Sequence, residues 1–169
     1  LIIFNMLKNI NGNDFIIYKN FIEKNELNKF KYLLKKQFKK GNIHPDVPPY
    51  QTYPDLHIIL KDNLTFKYVV DKIMSFNNYG SFFKINKCWA NLSKKNNKYK
   101  NHIHTDSKLT CVLYVQNKFA EFGTVIEDDI IIKGEEGSLV VFNPKTKHSI
   151  CNIHKQLFDK TGERVSFVI

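Results

Sequence analysis

His102-Ile103-His104-Thr105-Asp106-Ser107-Lys108 runs directly into Leu109-Thr110-Cys111-Val112-Leu113-Tyr114-Val115-Gln116. A cluster of imidazole and carboxylate groups thus precedes a run rich in β-branched and aromatic residues, and 108–116 reads as a strand. Side chains two positions apart on extended chain share a face, so His104 and Asp106 are expected to reach one point. Two imidazoles and a carboxylate on one side of an ion, with the other side open, are the ligand pattern of non-haem Fe(II) centres. The third ligand must come from another strand. His148 is the candidate, placed after the turn Asn143-Pro144-Lys145-Thr146-Lys147. An alternative takes His102 and His104 as the proximal pair. The carboxylate of His-x-Asp suits a hard ion that changes oxidation state, and it leaves His102 beside the ligands or facing solvent.

Working outward, short strand-like runs recur at 82–91, 123–126, 130–132, 138–142, 148–153 and 164–169, punctuated by Gly, Asn, Pro and Asp. Earlier in the chain the period is helical. Leu27, Phe30, Leu33, Leu34 and Phe38 mark a helix over about 23–39 that Gly41 stops, and Val69, Val70, Ile73 and Met74 mark another over about 64–76. Phe15-Ile16-Ile17-Tyr18 reads as a strand. Between Gly41 and Leu60 lies a loop rich in Pro and His, the kind of long connection that carries function. Helices followed by seven or eight strands predict an α+β fold whose strands roll into a sandwich or barrel. One domain is expected over 1–169, with helical support at about 1–80 and a β core at about 82–169.

The 169 residues carry a net charge of +10, with 43% hydrophobic and 14% aromatic residues, as in a globular protein. Nucleic acid is one partner such a charge suits. The joint excess of Lys, Asn and Ile, however, points to the codon bias of an A/T-rich genome, viral or cellular. The dense run Lys31–Lys40 reads as the solvated face of the first helix. No apolar run approaches the ~20 residues that span a bilayer. The opening Leu1-Ile2-Ile3-Phe4 is too short, and lacks the basic flank, for a secretory signal. Beginning on Leu1, the chain reads as trimmed. Cys88, Cys111 and Cys151 are odd in number and show no C-x-x-C spacing, which fits a reducing compartment such as the cytoplasm, or a host's cytoplasm if the source is viral. Among 26 basic residues the only Arg is Arg164, in Arg164-Val165-Ser166. A planar guanidinium holds a carboxylate with two parallel hydrogen bonds, which Lys does not.

His-x-Asp, the run ending at Tyr114, Gly123-Thr124, Gly137–Phe142, His148 and Arg164-Val165-Ser166 occur in that order. In this the chain resembles the 2-oxoglutarate- and Fe(II)-dependent dioxygenases, particularly their prolyl-hydroxylase-like branch with its small phage and bacterial members. The resemblance covers roughly 89–169, and the helix after Tyr18 is similar to that branch's support helix. It implies a double-stranded β-helix (jelly-roll, cupin-like) core behind two N-terminal helices. It also implies Fe(II), 2-oxoglutarate and O2 as cofactors, with ascorbate as an accessory reductant. His104, Asp106 and His148 match the metal ligands. Arg164, Ser166 and Tyr114 match the grip on the distal carboxylate of 2-oxoglutarate, and Asn91, Trp89 and His102 are pocket candidates. Fifteen residues separate His148 from Arg164, more than is usual there, so Lys155–Gly162 should bulge, and the family's paired glycines are here Phe122-Gly123. The implied activity is hydroxylation of a C–H bond on a protein or peptide residue such as proline, releasing succinate and CO2. Two alternatives stand beside it. One is a nucleic-acid demethylase or hydroxylase, with Tyr50, Tyr53 and His57 as a lid; the other is a catalytically silent cupin-like metal-binding module.

Overall fold

A computed structural model describes residues 5–10, 13–44, 51–76, 84–93, 101–118, 123–127, 130–150 and 163–169. Strands β1 (Asn5–Ile10) and β2 (Asn13–Tyr18) come first, followed by helices α1 (Lys24–Lys39), α2 (Leu56–Ile59) and α3 (Leu64–Phe76). Then come β3 (Trp89–Ser93), β4 (Thr110–Gln116), β5 (Thr124–Ile126), β6 (Ile130–Ile132), β7 (Leu139–Phe142), β8 (His148–Ile150) and β9 (Arg164–Val168). Six strands form an antiparallel sheet in the order β1-β2-β7-β4-β9-β3, and three form a second in the order β6-β5-β8. The fold is therefore mixed α+β with antiparallel pairing throughout both sheets.

Helix and sheet sit where their apolar periods demand. On α1, Leu27, Phe30, Leu34 and Phe38 are buried, and Gly41 ends the run in the left-handed region at φ 77°. Each central strand is covered on both faces. Cys111, Leu113 and Val115 of β4 join the helices, as do Leu139 and Val141 of β7 and Val165 and Phe167 of β9. The alternate residues Val112, Tyr114, Val140, Phe142 and Val168 pack with Ile126 and Ile132 of the second sheet. Three layers result: helices, large sheet, small sheet. Phe167 anchors the helical side, its ring edge-on to Phe30 at 5.1 Å and to Phe66 at 5.7 Å.

Several expectations need correcting. The N-terminal region is not purely helical support, since β1 and β2 extend the large sheet by pairing β2 with β7. The long loop contains the helical turn α2, and its residues Gln51 and Thr52 continue the sheet edge by pairing with Asn91 and by the bond of Thr52 N–H to the Ala90 carbonyl. The strand expected from 82 starts at Trp89. Tyr50, Phe122, Cys151, His154 and the segment 155–162 lie outside the described residues. No helix among the described residues is long and apolar enough to cross a membrane.

Candidate active site

Because β3 and β9 lie at one side of the large sheet, the strand alternation that sends Val165 and Phe167 to the helices sends Arg164 and Ser166 the other way. Likewise Ala90 and Leu92 meet the helices while Trp89 and Asn91 face away. These outward residues line a cavity of about 610 Å³ that His102, His104 and His148 also line. Val112, Ile150 and Val168 supply apolar wall.

The three histidines converge. One ring nitrogen from each lies within 4.8 Å of the others. His102 and His148 are directly opposite in an antiparallel bridge, each backbone N–H donating to the other's carbonyl at 3.0 Å, which puts both side chains on one face. His104 is tied to the turn before β8 by its N–H bond to the Pro144 carbonyl at 2.8 Å. The carbonyl of Thr146 lies 2.9 Å from Nδ1 of His148 and accepts its hydrogen bond, which leaves Nε2 as the lone-pair donor. Nε2 of His104 is buried and makes no hydrogen bond among the described residues, while the Trp89 ring packs edge-on at 5.3 Å and fixes the imidazole plane. Burial, with His102 adding repulsion, pushes His104 down to about 4 against the pull of Asp106. Burial likewise pushes His148 down to about 4, opposed by the Thr146 carbonyl. Both rings are neutral near pH 7 and able to donate to a metal. A buried, unpartnered imidazole nitrogen in a cluster of three histidines fits a divalent transition metal.

Asp106 stands apart from this set. The stretch 103–109 is not strand, and Thr105-Asp106 form a turn, so the two-residue alternation expected to align His104 with Asp106 does not operate. Its carboxylate is exposed and bonded to Nζ of Lys87 at 2.5 Å, and its carbonyl accepts from Nδ2 of Asn86 at 3.1 Å. The Lys87 bond holds the Asp106 carboxyl below its ordinary range.

Arg164, only 3% exposed, is a buried cation at the cavity wall. Its guanidinium carbon lies 5.2 Å from the centre of the Tyr114 ring. Tyr114 is fully buried, and its hydroxyl shares a 2.6 Å hydrogen bond with Oγ1 of Thr124. Burial raises the phenol, and Arg164 partly opposes this. Ser166 pairs with Asn91 on one side and Tyr114 on the other, fixing its height beside Arg164. A buried guanidinium flanked by hydroxyls, opening on a cavity with apolar walls, is suited to a carboxylate.

The cavity also takes His44, Gln51, Pro54, Lys87 and Thr124, none of which the sequence singles out as a ligand. Thr124 had a signal in its place within the ordered motif; Lys87 had none, being one Lys among 25. His57 is turned toward Sγ of Cys88 at 3.7 Å, and Tyr53 packs on His44 with ring centres 5.7 Å apart.

No family model and no curated protein matches the sequence. Among solved structures, the chain is similar to a viral collagen prolyl hydroxylase from Paramecium bursaria Chlorella virus-1, at 15% identity and TM-score 0.57, covering 98% of this chain and 94% of that one. A Pseudomonas putida prolyl-4-hydroxylase is similar at 15% identity and TM-score 0.60, covering 91% and 89%. An oxidoreductase of the 2OG-Fe(II) oxygenase family from Burkholderia pseudomallei is similar at 12% identity and TM-score 0.59, covering 91% and 82%. The chain has the fold that these prolyl hydroxylases and this 2OG-Fe(II) oxygenase share.

Proposed function

We propose that the chain is a single-domain 2-oxoglutarate- and Fe(II)-dependent oxygenase that hydroxylates a C–H bond on a protein or peptide residue such as proline, releasing succinate and CO2. One observation carries this reading: a single cavity is lined by a converging histidine set and by the buried Arg164. A metal alone has no use for a buried guanidinium, so the pairing favours an oxygenase over a silent cupin-like module. The jelly-roll reading is supported by the way successive strands change sheet. β3 and β4 lie in the large sheet, β5 and β6 in the small one, β7 in the large, β8 in the small and β9 in the large.

In this reading His104 and His148 would hold the metal, and Asp106 would complete the set for Fe(II) once it leaves Lys87. When bound, Fe(II) with 2-oxoglutarate and O2 supplies oxidative decarboxylation coupled to hydroxylation. Arg164 would receive the far carboxylate of the cosubstrate, with Ser166 beside it. Tyr114, braced by Thr124, holds the guanidinium plane from below. Trp89 keeps the His104 ring from rotating, and Val112, Ile150 and Val168 would keep water from the cavity wall. His44, Gln51, Pro54 and Lys87, which line the same cavity, would meet the substrate. A peptide is favoured over nucleic acid because the viral and Pseudomonas neighbours are prolyl hydroxylases and His57 is turned to Cys88, away from any lid role.

Anaerobic addition of Fe(II) and 2-oxoglutarate should produce a weak visible charge-transfer band and raise the melting temperature. No band together with unchanged melting overturns the oxygenase reading. Succinate release stimulated by proline-containing peptides, and not by oligonucleotides, supports the peptide substrate; the reverse selects the nucleic-acid alternative.

A further inference from the structure

Two different parts of the chain hold the groups that compete for the metal. His102 and His148 are locked together by their paired backbone bonds, and His104 is tied to Pro144 in the turn leading into β8. All three imidazoles are thus fixed to one strand and its turn. Asp106 is instead fixed to the segment before β3, through its carbonyl to Asn86 and through its carboxylate to Lys87. Its side chain is held by a cation that itself lines the cavity. Any ion entering the histidine cluster meets three imidazoles already within 4.8 Å of one another, while the carboxylate must first leave Lys87.

We propose that His102 and Asp106 are interchangeable third ligands of this site and that Lys87, by holding Asp106, selects His102. This rests on the metal-binding reading of His104 and His148 above. His102 supplies a neutral borderline donor that favours ions of the Zn(II), Co(II) or Cu(II) kind; Asp106 supplies the hard anionic donor that favours Fe(II). The chain therefore carries two ligand sets on two fixed imidazoles, and Lys87 is a positioning residue between them. Release of Asp106 from Lys87 is inexpensive. Lys87 and Asp106 are about half exposed, with side-chain exposures of 48% and 50%, and a pair of that kind shifts an equilibrium by about fivefold or less.

Interchange makes a quantitative prediction for Co(II) titration of chelator-treated protein, read by the visible d–d absorption of the ion. His102→Ala alone and Asp106→Asn alone should each weaken Co(II) by about fivefold or less, since the other residue fills the third position. The double variant should weaken it by about 100-fold, a strongly non-additive result. In the His102→Ala background, adding Lys87→Met should tighten Co(II) by up to about fivefold, because Asp106 no longer has to leave a partner. X-ray absorption should count three imidazoles on Co(II) in the unaltered chain and two in His102→Ala. His102 and Asp106 are both exposed, so the variants keep their fold, and circular dichroism checks this.

If Asp106→Asn alone loses as much as the double variant, His102 is no ligand and the interchange is overturned. If His102→Ala alone does so, Asp106 never enters, and it is overturned again. Two imidazoles in the unaltered chain overturn the selection by Lys87. The underlying reading fails differently: Co(II) binding that survives His104→Ala and His148→Ala removes the site itself, and with it both conclusions.

Discussion

At the scale of single residues, Arg164 is the position where a conservative change is least conservative. Arg164→Lys keeps the charge but loses the planar fork that Tyr114 and Ser166 frame. It should leave Co(II) affinity unchanged and weaken 2-oxoglutarate by at least about tenfold, more than the roughly 1 kcal/mol of an exposed charge swap. Isothermal titration checks this, and equal cosubstrate affinity would make Arg164 a structural residue only. The histidines make a separate prediction about acid. His104 and His148 are pushed down to about 4 in the fold from 6.5, so between these values the unfolded chain binds more protons than the folded one. Stability held above about pH 6.5 is therefore lost as pH falls toward about 4. Melting temperatures in the presence of a chelator should fall across that window, and His104→Gln/His148→Gln should flatten the slope. A slope unaltered by the double variant would assign the acid sensitivity elsewhere. Histidine and the lone arginine are rare types with narrow chemistry, which is why they are legible in the sequence. Lys87 is not, because nothing local distinguishes it from 24 other lysines.

Elements carry their own constraints. Just before β5, the backbone at Gly123 comes so close to β6 that a Cβ there would lie 1.5 Å from the Ile132 carbonyl oxygen. Backbone, not a movable side chain, is in the way. Gly123→Ala should therefore cost about 3 kcal/mol or more in urea unfolding, at the upper end for overpacking, and should disturb Thr124 and so Tyr114. A cost below about 1 kcal/mol would mean the two strands separate easily. The strands of the second half are legible because β-branched runs broken by Gly, Asn and Pro have few other uses. Their facing is not legible. In β4 every residue from Thr110 to Val115 is buried, so no polar alternation announces which side meets the helices. The helix pattern does announce its face, since α1 has a solvent side and its lysines occupy it. The turn at Thr105-Asp106 escaped the sequence reading because extended and turn conformations suit His-Thr-Asp equally well.

For the whole molecule the question is what the +10 charge does. Ion pairs of Lys19 with Glu135 and Lys35 with Glu163 join distant parts of the surface, and the cavity itself contributes one ammonium, Lys87. Diffuse charge of this kind attracts polyanions without a site. Binding to single-stranded oligonucleotides at low salt should therefore disappear by roughly 0.2 M salt. Fluorescence anisotropy that persists there would turn the substrate assignment toward nucleic acid. By itself the sequence determined the α+β class, the two main helices, most strands and the residue types that meet in the cavity, because periodicity and rare side chains are local properties. Only the tertiary structure decided that β1 and β2 join the large sheet, and that Gln51 and Thr52 extend its edge. It alone places His102 opposite His148 and takes Asp106 to Lys87. Apart from the local β1–β2 pairing, those outcomes depend on pairings between residues 19 to 127 positions apart, whose register follows from which faces must be buried together and not from any single segment.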